Sequence, residues 1–194
     1  KDKGEMSGSI RVSYKPQYLQ SDSDEPVASY INEAVQKYEV QLVRPLGLKE
    51  LFTKKLSELS GGELQKVAIA RCLSQDADLY LLDEPSAYLD VEQRLVVSRM
   101  IRDLMEQKGN SCLVVDHDLL FIDYLSDSLM IFDGEPARYG EVEGPFDMSG
   151  GMNRFLSGLG ITMRRDAESN RPRINKPASQ MEKRQKAEGK LYYS

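Results

Sequence analysis

Apolar positions along this chain change period several times, and each change marks an element. Ile10, Val12 and Tyr14 alternate with polar residues, which predicts a short strand. Pro16 stops that strand and leaves Gln17 at its exit. Residues 21–26, Ser-Asp-Ser-Asp-Glu-Pro, read as a loop and a helix start. Val27, Tyr30, Ile31, Ala34, Val35 and Tyr38 then fall at helical spacing. Residues 44–58 break up around Pro45 and Gly47, and Ser60 opens a helix with Leu64, Val67, Ala68, Cys72 and Leu73 inward. Leu79 to Leu82 is an unbroken apolar run between turn signals, which predicts a central parallel strand. Asp90 caps a helix with a stripe of Leu95, Val96, Met100, Ile101, Leu104 and Met105, ended by Gly109. Ser111 to Val115 predicts another buried strand, with Asp116-His117-Asp118 at its end. A short helix over Leu119 to Leu125 follows, then a strand over Leu129 to Phe132 that turns at Asp133-Gly134.

Alternating helix and strand predict an α/β fold with a parallel sheet. Residues 20–75 lack strand patterns and read as a helical insertion. Composition agrees with a soluble globular protein: 40% hydrophobic and 29% charged residues in 194. No apolar run approaches the roughly 20 residues a membrane span needs, and no charged-then-apolar leader points to secretion. Cys72 and Cys112, widely spaced, read as buried small hydrophobes rather than a disulfide or metal pair. The net charge of −5 is uneven: residues 161–194 hold nine Lys/Arg against four acids, so the preceding 160 residues carry −10. A basic tail on an acidic body fits either a polyanion or acidic partner surface or a solvated charge run.

The candidate chemistry sits at the element boundaries. Ser60 and Glu63 match the Ser-x-x-Glu capping box, with Leu59 and Leu64 able to form a staple. A cap does not explain Gly61-Gly62, since each glycine weakens a helix by roughly 1 kcal/mol relative to alanine. Bare glycines let a phosphate reach the free N–H groups at the positive end of the helix dipole. Asp83 and Glu84 end the Leu79–Leu82 strand. One such carboxylate can hold a magnesium ion, usually through water, and the other can orient or deprotonate an attacking water. The plain alternative is an acidic loop after a buried strand. His117, the single histidine, follows a Val-Val strand, 33 residues beyond Glu84. Ligands of parallel sheets bind outside the carboxyl ends of the strands, where an imidazole can donate to a γ-phosphate or position a water. The amide of Gln17 can contact a metal ion or that water, or be an ordinary surface glutamine. The 194 residues contain no Gly-x-x-x-x-Gly-Lys-Ser/Thr loop to hold phosphates.

As a set, Gln17, Leu59–Glu63, Leu79–Glu84, Ser86–Asp90 and His117 resemble the ATP-binding cassette (ABC) ATPases in order and spacing. In that family's terms they correspond to the Q-loop, the signature motif, Walker B with its glutamate, the D-loop and the switch histidine. The signature more often ends in glutamine, and Glu63 departs from that. Within the family the chain resembles subfamily E, the RNase L inhibitor-like ribosome-recycling factors. Three stretches carry this: Val12-Ser13-Tyr14-Lys15-Pro16-Gln17; Ser86-Ala87-Tyr88-Leu89-Asp90 running into Glu92-Gln93-Arg94; and a tail from Gly151-Met152-Asn153-Arg154-Phe155-Leu156 through Arg164-Arg165-Asp166 to Arg171-Pro172-Arg173-Ile174-Asn175-Lys176.

The resemblance implies a P-loop NTPase fold lacking its Walker A segment, as the C-terminal part of the second of two nucleotide-binding domains. Residues 1–19 would be core strand and Q-loop, 20–75 a helical subdomain ending in the signature helix, 76–150 ATPase core, and 151–194 a hinge-like basic tail. Two cassettes would close around two ATP molecules with Mg2+. Asp83 and Gln17 would serve the metal, Glu84 would polarise water, and His117 and Gln17 would sense the γ-phosphate. Ser60, Gly61, Gly62 and Glu63 would close over the ATP of the facing cassette, with Ser86 and Asp90 in the D-loop. The implied partners are the other nucleotide-binding domain, the small ribosomal subunit and release factors, in the cytoplasm and away from membranes. The chain alone is expected to bind ATP weakly without turnover and to leave apolar surface uncovered. The ATPase subunit of a transporter would share the catalytic motifs, and a binding module without catalysis is a further reading. A chromosome-maintenance ATPase is discounted because only 42 residues separate Gln17 from Ser60, without sustained heptads.

Overall fold

The computed structural model describes residues 9–18, 22–135, 137–166 and 172–193. The polar start at 1–8 lies outside them, as do residues 19–21 and, in the tail, Glu168 and Arg171. The chain divides into two compact units between Leu125 and Ser126.

The first unit is built on a parallel sheet of β1 (Val12–Lys15), β2 (Leu79–Asp83) and β3 (Ser111–Val115), in that spatial order. The apolar run of β2 therefore takes the middle position, as the sequence predicts. Its register pairs Val12 with Leu79 and Lys15 with Leu82 on one side, and Leu79 with Ser111 and Asp83 with Val115 on the other. Between β1 and β2 come two short helices, α1 (Val27–Tyr30) and α2 (Asn32–Lys37), a π-helical turn at Glu39–Val43 and two 3-10 turns. The predicted single helix over 27–38 is thus interrupted at Ile31. Val27, Ile31, Ala34, Leu42, Val43 and Leu48 still pack into one core with α3 (Gly61–Ser74). After β2 runs α4 (Val91–Lys108), then β3 and the short α5 (Leu119–Leu125).

Two details differ from the periodicity. In β1 the buried side chains are Ser13 and Lys15, while Val12 and Tyr14 face outward, Tyr14 being 57% exposed. The covered side of the sheet accepts Ser13 because its hydroxyl donates to the Cys72 carbonyl at 2.8 Å. The other side carries Val12, Tyr14, Leu113 and Val115 with substantial exposure, so an apolar sheet face stands uncovered, as the sequence reading expected. In α4 the buried stripe is Val97, Met100, Ile101, Leu104 and Met105, and Val96 is exposed. The helix is turned so that Arg94 faces Asp118, to which it is ion-paired.

In the second unit, Leu129–Phe132 does belong to a strand, β4 (Ser128–Glu135), but not to the parallel layer. It forms an antiparallel pair with β5 (Tyr139–Asp147), a strand the polar, glycine-containing sequence did not announce. Asp147 caps α6 (Met148–Leu159), accepting from the Gly150 N–H at 2.6 Å. The tail is folded: β6 (Met163–Arg165) pairs with β7 (Pro172–Ile174), and Ser179 caps α7 (Gln180–Glu188). Its charge is partly matched within the unit, through Arg173–Asp166 at 3.2 Å, Arg184–Glu188 at 2.8 Å and Lys186–Glu182 at 2.8 Å.

Candidate functional site

The sheet register sets the site. Gln17 lies two residues past Lys15, Glu84 one past Asp83, and His117 two past Val115, so all emerge at the carboxyl edge of adjacent strands. His117 Nδ1 stands 3.7 Å from Glu84 Oε1. Glu84 has a left-handed backbone, φ +45°, a conformation that costs a non-glycine residue about 1 kcal/mol or more. Three elements hold it there. The Glu84 N–H donates to the Val115 carbonyl of β3 at 2.7 Å. The Glu84 carbonyl accepts from Gln65 Nε2 of α3 at 2.7 Å and from Lys15 Nζ of β1 at 3.4 Å. Lys15 Nζ also donates to the Asp83 carbonyl at 2.6 Å. Burial pulls the Lys15 ammonium down to about 8, against the opposing pull of the Asp83, Asp116 and Glu84 charges. Gln65 was not singled out by the sequence, and Lys15 entered only within the Val12–Gln17 stretch, with no role of its own.

Beyond Glu84 the loop Pro85–Leu89 is tied to the loop after β3. Asp116 accepts from the Ser86 N–H at 3.0 Å, the Ser86 hydroxyl at 2.8 Å and the Asp118 N–H at 2.9 Å. Asp118 in turn accepts from the Leu120 and Phe121 N–H groups at the head of α5, and pairs with Arg94. Arg94 Nε reaches the Leu89 carbonyl at 2.9 Å. Asp90 caps α4, accepting from the Gln93 N–H at 2.8 Å. The residues flanking His117 therefore fix the loop that follows Glu84.

At the head of α3 the capping box forms in full. The Ser60 N–H donates to Glu63 Oε2 at 2.8 Å, and the Glu63 N–H to Ser60 Oγ at 3.3 Å. Lys54 Nζ lies 2.8 Å from Glu63 Oε1 and, with the Ser60 N–H, holds the Glu63 carboxyl down at about 2. The N–H groups of Gly61 and Gly62, at the first two helical positions, have no intrahelical acceptor to reach. The glycines also have a packing role that sequence reasoning missed. A Cβ on Gly61 would stand 3.2 Å from the Tyr88 ring, and one on Gly62 would stand 2.9 Å from the Tyr88 carbonyl oxygen. Tyr88 itself is left-handed, at φ +61°. Ser60–Glu63 are thus joined to the carboxylate edge by Tyr88 above and Gln65 below.

Among the described residues, no group of three or more His, Cys, Asp or Glu side chains clusters to hold a metal ion. Asp83, half-buried at the sheet edge, accepts from the Tyr14 hydroxyl at 3.5 Å.

A family model described as ABC transporter matches residues 5–87. An uncharacterized ABC transporter ATP-binding protein of Methanocaldococcus jannaschii is 50% identical over 99% of this chain and 33% of its own length. The chain matches ABC ATPases in sequence. The translation initiation factor RLI1 of Saccharomyces cerevisiae is 37% identical, again over 99% of this chain and 33% of its own. A solved archaeal ribosome recycling factor, aABCE1, in complex with the ribosomal stalk protein aP1, superposes with a TM-score of 0.89. It is 50% identical, and the match covers 98% of this chain and 38% of that one. The chain therefore matches the RNase L inhibitor group at 37–50% identity over nearly its whole length, in sequence and in fold. It spans about a third of the length of the curated relatives. Among the described residues no helix is long and apolar enough to cross a membrane.

Proposed function

We propose that this chain is part of a two-cassette ATPase that couples ATP binding and hydrolysis to splitting of ribosomal subunits in the cytoplasm. The observation that carries the reading is the carboxyl edge of the sheet. There Glu84 and His117 stand 3.7 Å apart beside Asp83. Asp83 and Gln17 would hold Mg2+, and that ion would neutralise charge on the transferring phosphoryl group. Glu84 orients the attacking water and accepts its proton, while His117 and Gln17 contact the γ-phosphate. Ser60, Gly61, Gly62 and Glu63 present their helix end to the ATP of the facing nucleotide-binding domain, and Ser86 to Asp90 form the loop between the two sites. Small ribosomal subunits and release factors are the partners outside the protein.

The relatives' names support this reading, one being a ribosome recycling factor and one a translation initiation factor. In the full-length protein, Glu84→Gln should leave ATP binding intact and cut Mg2+-dependent turnover at this site by roughly 100-fold or more. It should also trap the protein on small subunits. Wild-type turnover in Glu84→Gln would refute the assignment. The 194-residue polypeptide by itself, without a phosphate loop in its sequence, should bind ATP weakly and not hydrolyse it. Magnesium-dependent phosphate release from the pure chain would overturn that part.

A further inference from the structure

The reaction assigned above depends on where the Glu84 carboxylate points, and that is set by a backbone conformation glutamate does not favour. Glu84 sits at φ +45° at the end of β2, and the residue after it is Pro85, which cannot donate a hydrogen bond to steady the turn. The turn is steadied from outside. Lys15, only 1% exposed, reaches from β1 to the carbonyls of Asp83 and Glu84, at 2.6 and 3.4 Å. Gln65, fully buried in α3, gives its amide N–H to the same Glu84 carbonyl at 2.7 Å.

Neither placement is what packing alone would select. A lysine on the covered side of a sheet and a glutamine on the inner side of a helix occupy positions where an apolar residue would normally bury more surface. Gln65 Oε1 is also buried with no hydrogen-bond partner among the described residues. The hydrogen bond described for this side chain is the one from Nε2 to the Glu84 carbonyl. Both bonds converge on one backbone segment, from elements far apart in sequence. We propose that Lys15 and Gln65 are positioning residues that clamp the main chain at Glu84, so that its carboxylate is aimed before the water arrives. This rests on the reading of Glu84 as the residue that activates water. Gln65 lies five residues beyond Ser60, so the helix that meets the facing ATP is also one jaw of the clamp.

The test uses the full-length protein and reads the part of single-turnover ATP hydrolysis that Glu84→Gln removes. Lys15→Met and Gln65→Met keep length and bulk and remove only the donors. Each should lower that rate about 10- to 100-fold, as a misplacement of up to about 1 Å does. KM for ATP should change less than about 3-fold, which also shows that the variants are folded. Placed in the Glu84→Gln background, neither should lower the residual rate further, because the group they aim is gone. Lys15→Arg, which keeps a donor, should recover part of the rate. Wild-type turnover in both methionine variants, a KM effect alone, or an undiminished loss in the Glu84→Gln background would overturn the clamp while leaving Glu84 as the acting residue. Wild-type turnover in Glu84→Gln itself would overturn the functional reading, and the clamp with it.

Discussion

Gly62→Ala separates two explanations for the paired glycines at the head of α3. Helix propensity alone makes alanine the better residue, by up to about 1 kcal/mol. The structure opposes this. A Cβ at position 62 would stand 2.9 Å from the Tyr88 carbonyl oxygen, a backbone atom held in a left-handed turn at φ +61°. That oxygen cannot swing away as a side chain can, so α3 or the Pro85–Leu89 loop must shift. Inserting a methyl group into such a contact costs about 1–3 kcal/mol. The net effect should be destabilising, by up to about 2 kcal/mol once the propensity gain is subtracted. For a chain of this size, that lowers Tm by up to about 8 °C. Gly61→Ala is the internal control. Its Cβ would meet the ring of Tyr88 at 3.2 Å, and that ring, 74% exposed, is free to turn. Gly61→Ala should therefore be near neutral. Tyr88→Ala should relieve any residual cost at position 61 and leave the cost at 62 unchanged. Urea and thermal unfolding followed by far-ultraviolet circular dichroism measure these variants and the combinations of Tyr88→Ala with each glycine substitution. A Gly62→Ala protein as stable as wild type, or more so, would refute the argument that Tyr88 demands the glycine.

The carboxyl of Glu63 lies well below its ordinary range, at about 2, chiefly because of Lys54 and then the Ser60 N–H. A depressed folded value means that its contribution is complete above the ordinary carboxylate range and is lost as pH falls toward 2. Wild type should therefore lose stability faster than Glu63→Gln between pH 5 and 3, and parallel pH profiles in urea unfolding would contradict the pairing with Lys54. Lys108 donates to the Leu73 carbonyl at 2.8 Å and the Tyr80 hydroxyl at 2.7 Å, and its ammonium lies 4.6 Å from the Tyr38 ring centre. Lys108→Met should cost about 1–3 kcal/mol by thermal unfolding, and a loss below 0.5 kcal/mol, on the order of a surface substitution, would contradict that node.

Continuous patterns were legible in the sequence, and approaches between distant residues were not. The run Leu79–Leu82 predicts a central parallel strand, because its side chains meet both faces of the sheet, and β2 lies between β1 and β3. The Ser60–Glu63 box and the Asp90 cap are local, and both form as their spacing predicts. Alternation located β1 but could not give its buried face, since Ile10, Val12 and Tyr14 outweigh Ser13 and Lys15 in hydropathy. The burial of those two polar residues is decided by the carbonyls of Cys72, Asp83 and Glu84, more than fifty residues away. β5 escaped because Glu141, Glu143 and Pro145 look like a loop, and its identity as a strand comes from pairing with β4. Gln65 reads as a surface residue until its Glu84 partner is known. Nothing in a tyrosine announces the left-handed turn that brings Tyr88 over the glycines.

The uncovered face of the sheet has a practical consequence for whoever handles this polypeptide. Tyr14 and Val115, more than half exposed, stand with Val12 and Leu113 on one surface. Environment-sensitive dyes such as anilinonaphthalene sulfonate report apolar surface, whether it is created by melting or already present. Here the native state should light them up before any heat is applied. Fluorescence would start high and could fall on warming as the molecules coalesce, so a dye-based melting curve would be inverted.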